Sequence, residues 1–271
     1  MDFIKNRYLL LVSFAIFLGS CQDVINLSLK SSDPQLVIEG SVDNHSDSIF
    51  VSLHRSTDYY KPTTIQSVND ATVSLKDSSG NVYHFTNSGD GRYSARNLHG
   101  QPGESFSLSV QEGNSDYTAE ATMPGVVTIT KFYLDKEPDH PFEDRLNIQF
   151  TDPAGIENYY QVEIYVNDSL LTTGDRILIY SDKFFDGVTN VISLGGRRLG
   201  IDQFDHGDTV RVRLKNIEKW MYNYLDVLRS ITSGMEFISA SSPSNPPGNI
   251  RGGALGYFAA WAINERSVIK N

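Results

Sequence analysis

The chain has 271 residues, of which 39% are hydrophobic and 11% aromatic, and its formal net charge is −10. This composition can build a packed core and argues against a disordered chain, while the length suits one large or two ordinary domains. Because the sequence has no cluster of Lys and Arg, it offers no surface suited to a phosphate backbone, and we expect no nucleic-acid partner.

The first 20 residues are predicted to be a secretory signal peptide. Lys5 and Arg7 precede an apolar run over residues 8–18. Such a run is too short to span a bilayer, so it is expected to be cleaved rather than kept. Small residues then lead to Cys21, the only cysteine of the chain.

The order Leu18, Gly19, Ser20 and Cys21 resembles the lipobox of bacterial lipoproteins. The resemblance implies cleavage before Cys21, diacylglycerol on its sulfur, an acylated amino terminus and a lipid anchor in a membrane outside the cytoplasm. Several buried acyl chains make such attachment stable. Residues 21–34 are then the tether. The alternative is a leader cut elsewhere, with Cys21 left as an unpaired thiol.

Residues 35–124 are predicted to form an N-terminal β-sandwich of the immunoglobulin or transthyretin type. Apolar residues recur at every second position, and turn-forming residues separate the runs, which is typical of half-buried antiparallel strands. Seven short strands within residues 35–123 favour two packed sheets. The alternating sets begin at Leu36, Ile49, Ala71, Val82, Arg92, Phe106 and Tyr117.

A second β-rich domain is predicted after the motif of Met123, Pro124 and Gly125, because proline cannot donate to a strand ladder. Residues 125–271 are expected to form a fibronectin-like sandwich that carries one amphipathic helix over residues 217–233, with Asn216 as the N-cap residue. The apolar stripe of this helix consists of Trp220, Met221, Tyr224, Leu225, Leu228 and Ile231.

Two further features follow the predicted helix. Residues 241–253 hold three Pro and three Gly, which predicts a long irregular loop. Residues 254–263 are small or apolar on both faces, so we expect this strand to lie inside a sheet that is covered on both sides.

No catalytic or cofactor motif stands out in the sequence. The six His residues form no HExxH pattern, no G-x-S-x-G surrounds a serine, and the glycine-rich turns do not connect a strand to a helix. We therefore expect no enzyme activity and no cofactor. Carboxylate pairs of the kind that glycoside hydrolases use leave no local trace, so a glycan hydrolase stays open as an alternative.

Asp202, Asp205 and Asp208 are the candidate metal ligands, because closely spaced carboxylates offer the oxygen atoms that Ca²⁺ prefers. Their spacing does not match an EF-hand loop. A solvated β-turn is therefore the favoured interpretation of this segment, and calcium is its alternative.

Several motifs, taken with the pattern at Cys21, resemble a Bacteroidetes lipoprotein family, domain of unknown function 4249. They include residues 36–40 and 121–124 and, as the most specific, the run Gly-Gly-Ala-Leu-Gly-Tyr-Phe over residues 252–258. Members of this family are typically encoded beside TonB-dependent outer-membrane transporters. The resemblance implies a lipoprotein of the outer membrane that faces the cell surface and assists such a transporter, and it supplies no catalytic residue.

Three functions follow as hypotheses. The first is a non-enzymatic accessory of a TonB-dependent β-barrel transporter, which captures a glycan or peptide ligand or docks on the barrel. The second is a surface adhesin or filament component, and the third is a glycan hydrolase. Loops on rigid sheets carry recognition, and aromatic faces stack on ligands. The candidate contact residues are therefore Tyr59, Tyr60, Phe184, Phe185 and the loop of residues 241–253.

Overall fold

The computed structural model describes residues 33–57, 65–201, 203–233 and 245–271. The expected signal peptide, Cys21, Tyr59, Tyr60 and Asp202 lie outside the described residues, as does part of the loop 241–253. The described chain is mainly β, as its alternating sequence predicts.

The described residues contain sixteen strands, two α-helices and two 3₁₀ helices, the latter over Gly174–Arg176 and Asp182–Phe184. The strands of the first half are β1 (Leu36–Asp43), β2 (Ser48–Arg55), β3 (Thr72–Asp77), β4 (Val82–His84), β5 (Thr86–Asn87), β6 (Arg92–Arg96), β7 (Ser105–Glu112) and β8 (Ser115–Thr122). The rest are β9 (Ile129–Glu137), β10 (His140–Thr151), β11 (Tyr159–Val166), β12 (Ser169–Leu170), β13 (Leu178–Ser181), β14 (Thr189–Gly195), β15 (Thr209–Ile217) and β16 (Leu255–Ile269). The helices are α1 (Gly196–Leu199) and α2 (Lys219–Thr232).

The first half of the chain forms a sandwich of two sheets. Strands β1, β2, β6 and β5 lie in one sheet, and β4, β3, β7 and β8 form the other. Strands β3 and β4 form a hairpin that places Leu75 opposite Tyr83. Alternate residues of each strand point inward, so one apolar core fills the space between the sheets. Its largest fully buried side chains are Ile38, Leu53, Leu75, Tyr93, Phe106, Leu108, Met123 and Phe258.

The second half also forms a sandwich. Strands β12, β11, β15 and β16 lie side by side, with β13 also paired to β11, and they pack on a three-stranded sheet in the order β14, β10, β9. Apolar side chains from both sheets form a second core. Its fully buried members include Leu146, Ile148, Phe150, Tyr160, Val162 and Ile164.

Strand β16 joins the two sandwiches into one sheet. Its first part pairs in parallel with β1, from Leu255 opposite Val37 onward, and its second part pairs antiparallel with β15. Residues 34–271 accordingly form one compact unit. Strand β16 thus completes a sheet of the N-terminal sandwich, while the division into residues 35–124 and 125–271 stays a prediction.

The composition of β16 explains how one strand serves both halves. Phe258 and Ala260 belong to the core of the N-terminal sandwich, while Ala259, Trp261 and Ile263 point to the opposite face of the sheet. Both faces of β16 are thus buried over residues 258–263, as the small and apolar run over residues 254–263 predicts.

Helix α2 covers the opposite face of the joined sheet. Met221, Tyr224 and Leu225 are buried against Tyr159 and Trp261, so the predicted apolar stripe packs on the sheet. The helix begins two residues later than expected, with Glu218 at its N-cap position. Asn216, the expected N-cap residue, lies in β15, where its amide donates to the Gly125 carbonyl and to the Asn158 side chain. Asn216 therefore contacts distant parts of the chain instead of capping the helix.

The described end of the proline-rich loop ties the two sheets of the N-terminal sandwich together. The Asn249 side chain donates to the carbonyls of Glu120 in β8 and Phe258 in β16, both at 2.8 Å, and accepts from the Phe258 amide. Gly256 has φ +95°, and a Cβ there would collide with the Ile38 carbonyl of β1. The close approach of β16 to β1 therefore explains why the motif over residues 252–258 has a glycine at position 256.

A buried carboxylate ties β10 to the last residues of the chain. Asp144 is fully buried and accepts from Lys270 at 2.6 Å, from Lys136 at 2.9 Å and from the Phe204 amide. Burial alone would raise the pKa of Asp144, but these three donors outweigh it and hold the pKa below the ordinary 3.8.

This carboxylate is expected to make stability depend on pH. A carboxyl group whose pKa is lowered on folding stabilises the protein above its unfolded pKa, and this contribution is lost as the pH falls through the lowered folded value. Asp144→Asn should therefore be destabilised near neutral pH, and its deficit relative to the wild type should shrink in acid. Urea unfolding between about pH 7 and about pH 3 measures this difference. A deficit that stays constant across the range would contradict the assignment.

Candidate functional site

Two loops meet at one end of the C-terminal sandwich. Residues 152–158 connect β10 to β11, and residues 182–188 connect β13 to β14. Because β11 pairs with β13 and β10 with β14, the ends of these strands bring the loops together. We call this pair of loops the aspartate loops, after Asp152, Asp182 and Asp186.

Asp152 connects the two loops through its side chain. One carboxylate oxygen accepts the hydroxyl hydrogen of Tyr160, and the other accepts the backbone N–H of Gly187 at 3.1 Å. Burial, reinforced by this hydrogen bond, raises the pKa of Tyr160, so its hydroxyl stays a donor to Asp152. The opposing loops are close here, since a Cβ on Gly187 would lie 2.7 Å from that of Ala154.

The other two aspartates make matching contacts across the loops. Buried Asp182 accepts the Asn158 amide at 2.6 Å and donates its own amide to the Asn158 carbonyl at 3.1 Å. Exposed Asp186 accepts the Gly155 amide at 2.8 Å. Hydrogen bonds from backbone N–H groups to carboxylates are stronger than those between neutral groups. The aspartates therefore hold the two loops in one fixed arrangement.

The neighbouring phenylalanines of these loops have different environments. Phe185 packs into the second core, edge-on to Phe150 at 5.9 Å and stacked on Tyr160 at 6.2 Å between ring centroids. Phe184 is 89% exposed, with the Lys183 ammonium 5.6 Å from the centre of its ring. Of the two sequence candidates, only Phe184 is placed where it can contact a partner, while Phe185 anchors the turn that presents it.

Two more apolar side chains lie exposed on the aspartate loops. Ile156 is on the first loop and Val188 at the end of the second, and more than half of each side chain is accessible. Large apolar side chains that share one exposed, rigid surface commonly mark contact sites. Phe184, Ile156 and Val188 together are called the Phe184 surface below.

The three aspartates also form the group of carboxylates best placed for a cation among the described residues. One oxygen from each can be chosen so that all lie within 4.8 Å of one another. A Ca²⁺ ion accepts such ligands. Hydrogen bonds to the opposite loop or to Tyr160 hold each of these carboxylates in position, so no cation is needed to explain their arrangement.

The candidate metal ligands of the sequence have another arrangement. Asp208 accepts the Asp205 amide at 2.8 Å and the Asn167 side-chain amide at 2.7 Å. These contacts are those of a hydrogen-bonded turn at the start of β15, which is the favoured interpretation of that segment. Asp202 is not among the described residues.

Sequence reasoning missed the aspartate loops as a unit. Asp152 and Asp182 stand 30 positions apart in the sequence, and no fixed spacing predicts their contact. A local signal does exist, since Asp152 precedes a proline and Asp186 precedes a glycine. Such dipeptides indicate turns, but they do not say which two turns meet.

No helix within the described ranges is long and apolar enough to cross a membrane. The two sandwiches and the strand that they share define a β-sandwich protein, and the exposed Phe184 lies on one of its loops.

The chain belongs to the family described as Domain of unknown function (DUF4249), whose model matches residues 22–267. A search of curated proteins found no match.

Solved structures with remote similarity include a fibronectin type III segment and a bacterial adhesin. A segment of two fibronectin type III domains from chicken tenascin is 13% identical, with a TM-score of 0.21, and the match covers 68% of this chain and 91% of that one. The Yersinia pseudotuberculosis adhesin InvE is 15% identical, with a TM-score of 0.21, and the match covers 67% of this chain and 56% of the adhesin.

Proposed function

We propose that the protein is a non-enzymatic lipoprotein, anchored in the outer membrane through Cys21, that docks on a TonB-dependent transporter through the Phe184 surface. The observation that carries the proposal is the 89% exposure of Phe184 on a turn held by buried aspartates. A large aromatic side chain that stays in water on a rigid loop is suited to fill a pocket on a partner.

The rigidity of the turn supports docking in preference to a flexible linker. The contacts of Asp152 and Asp182 with the opposite loop fix the backbone on both sides of Phe184. A side chain that is already positioned loses less conformational freedom when it binds. Phe184 can therefore contribute more of its burial energy to an interface than a residue on a loose loop.

The family supports the choice of a transporter as the proposed partner. Members of this family are typically encoded beside TonB-dependent transporters, and the chain belongs to the family over residues 22–267. The matched region begins one residue after Cys21, where the lipobox pattern predicts the mature chain to start. An acidic body gains no attraction from an anionic membrane surface, so the lipid alone would hold it there.

Phe184→Ala is expected to weaken binding to the transporter by about tenfold or more, because truncation of an aromatic anchor removes most of its contact area. The full lipoprotein would be purified from its native cells in mild detergent, and the recovered β-barrel protein would be quantified by mass spectrometry. The intact mass of the same sample reports whether acyl chains are attached at Cys21.

Phe142→Ala is the matched control for this experiment. Phe142 is 80% exposed and lies near the other end of β10, away from the aspartate loops. It should leave recovery of the transporter unchanged. If both variants lost the β-barrel protein equally, the Phe184 surface would be excluded as the docking site. Recovery of the wild-type lipoprotein without any β-barrel protein would count against the transporter as partner.

A further inference from the structure

Strand β14 is an open edge of the three-stranded sheet. It pairs with β10 on one side, with Ile192 opposite Ile148, and it ends the strand order on the other. Among the described residues, no backbone hydrogen bond connects β14 to any element other than β10. The strand therefore presents a row of outward backbone N–H and C=O groups that a further strand can pair with.

The side chains of β14 do nothing to prevent such pairing. The strand spans seven residues, none of them charged, and Val191 is 44% exposed. The other edge strands of five or more residues carry charges, such as Lys131 in β9 and Asp116 in β8. The remaining edges, β4, β5, β12 and β13, are only two to four residues long. Charged or very short edges are the usual protection against strand addition, and β14 has neither.

The charges that flank β14 favour a second copy of the same chain. Exposed Asp186 lies six positions before Ile192 and exposed Arg198 lies six positions after it. Asp186 lies in the turn before β14 and Arg198 in helix α1 after it, so antiparallel pairing of two β14 strands would bring the acidic turn of each copy near the basic helix of the other. The two pairs of opposite charges arise together, because a twofold axis makes both contacts identical.

We propose that β14 pairs with β14 of a second copy about a twofold axis near Ile192, so that two three-stranded sheets become one sheet of six strands. The exposed Val191 side chains of the two copies would then lie diagonally across the new ladder on one face. The negative net charge of each copy opposes association, so the expected dimer is weak, with a Kd of about 10 μM.

Val191→Lys tests this interface. It places two lysines about 7–8 Å apart across the twofold axis, and the dimer should weaken by about tenfold. Val82→Lys is the matched control, because Val82 is 52% exposed on the short edge strand β4 of another sheet. Sedimentation equilibrium of the full lipoprotein in detergent, without a transporter, measures the dissociation constant of each variant.

Hydrogen exchange on the wild-type protein gives a second readout that needs no substitution. Amides within residues 189–195 should become more protected as the protein concentration rises, while those of β9 should not change. A wild-type protein that stays monomeric at about 100 μM would overturn the proposal. So would open-ended oligomers, or concentration-dependent protection of β9, since either result means that β14 pairs with a different edge. The Phe184 surface is tested separately, by the recovery of the β-barrel protein with Phe184→Ala.

Discussion

Gly256→Ala should destabilise the protein by about 4 kcal/mol, which combines the strain of an L-residue at positive φ with a collision in a packed sheet. Gly256 stands opposite Ile38 where β16 begins its parallel pairing with β1, and its φ is +95°. A Cβ would point at the Ile38 carbonyl oxygen and push the two central strands apart. In a domain of this size the midpoint temperature should fall by about 10 °C, which calorimetry would measure.

Gly80→Ala separates the two causes. Gly80 has φ +91°, almost the same backbone conformation, but no atom lies within 4 Å of its missing Cβ. It therefore retains the strain and lacks the collision, and we expect a loss of only about 1 kcal/mol. If Gly256→Ala were no worse than Gly80→Ala, the close approach of β1 and β16 would not explain this glycine.

Lys215→Met should destabilise the protein by about 3 kcal/mol, because it leaves the Glu163 carboxylate buried without its cation. The Lys215 ammonium lies 2.5 Å from Glu163 and 4.4 Å from the centre of the Trp261 ring. Both charged side chains are about nine-tenths buried. Chemical denaturation monitored by the fluorescence of the two tryptophans measures the change.

Two further variants test whether the loss of stability in Lys215→Met comes from the buried, unpaired charge of Glu163. Lys219→Met breaks an exposed ion pair with Glu157, where both side chains are more than half accessible, so stability should change little. The double variant Glu163→Gln/Lys215→Met removes both charges, and it should be more stable than Lys215→Met alone. An equal loss in the single and double variants would mean that packing on Trp261, and not the stranded charge, causes the effect.

The strands were predictable because their signal is local. Alternating burial in β1 and β7 follows directly from the spacing of apolar residues. The buried stripe of helix α2 around Tyr224 follows in the same way from apolar residues spaced three and four positions apart. The pairing of β16 with β1 was not predictable, since strands at opposite ends of the chain carry no mark of their partner. The small and apolar run over residues 254–263 indicated burial on both faces of this strand but did not indicate that two sandwiches share it.

The candidate site was predictable only in part. The sequence suggests that Phe184 and Phe185 are contact residues, but it cannot assign opposite directions to two identical neighbours. That assignment depends on the turn that begins at Asp182, which is fixed by a contact with Asn158 from another loop. Tertiary hydrogen bonds of this kind have no local sequence period.

The position of β16 has a consequence for how the protein folds. Strand β16 lies between β1 and β15 and follows every other described strand in the sequence, so the sheet that spans both sandwiches stays open along its middle until β16 has been made. Pairing the two ends of a chain closes a very long loop, and such contacts form slowly. An incomplete chain therefore exposes the unpaired edge of β1, and a late, cooperative closing step protects both halves at once.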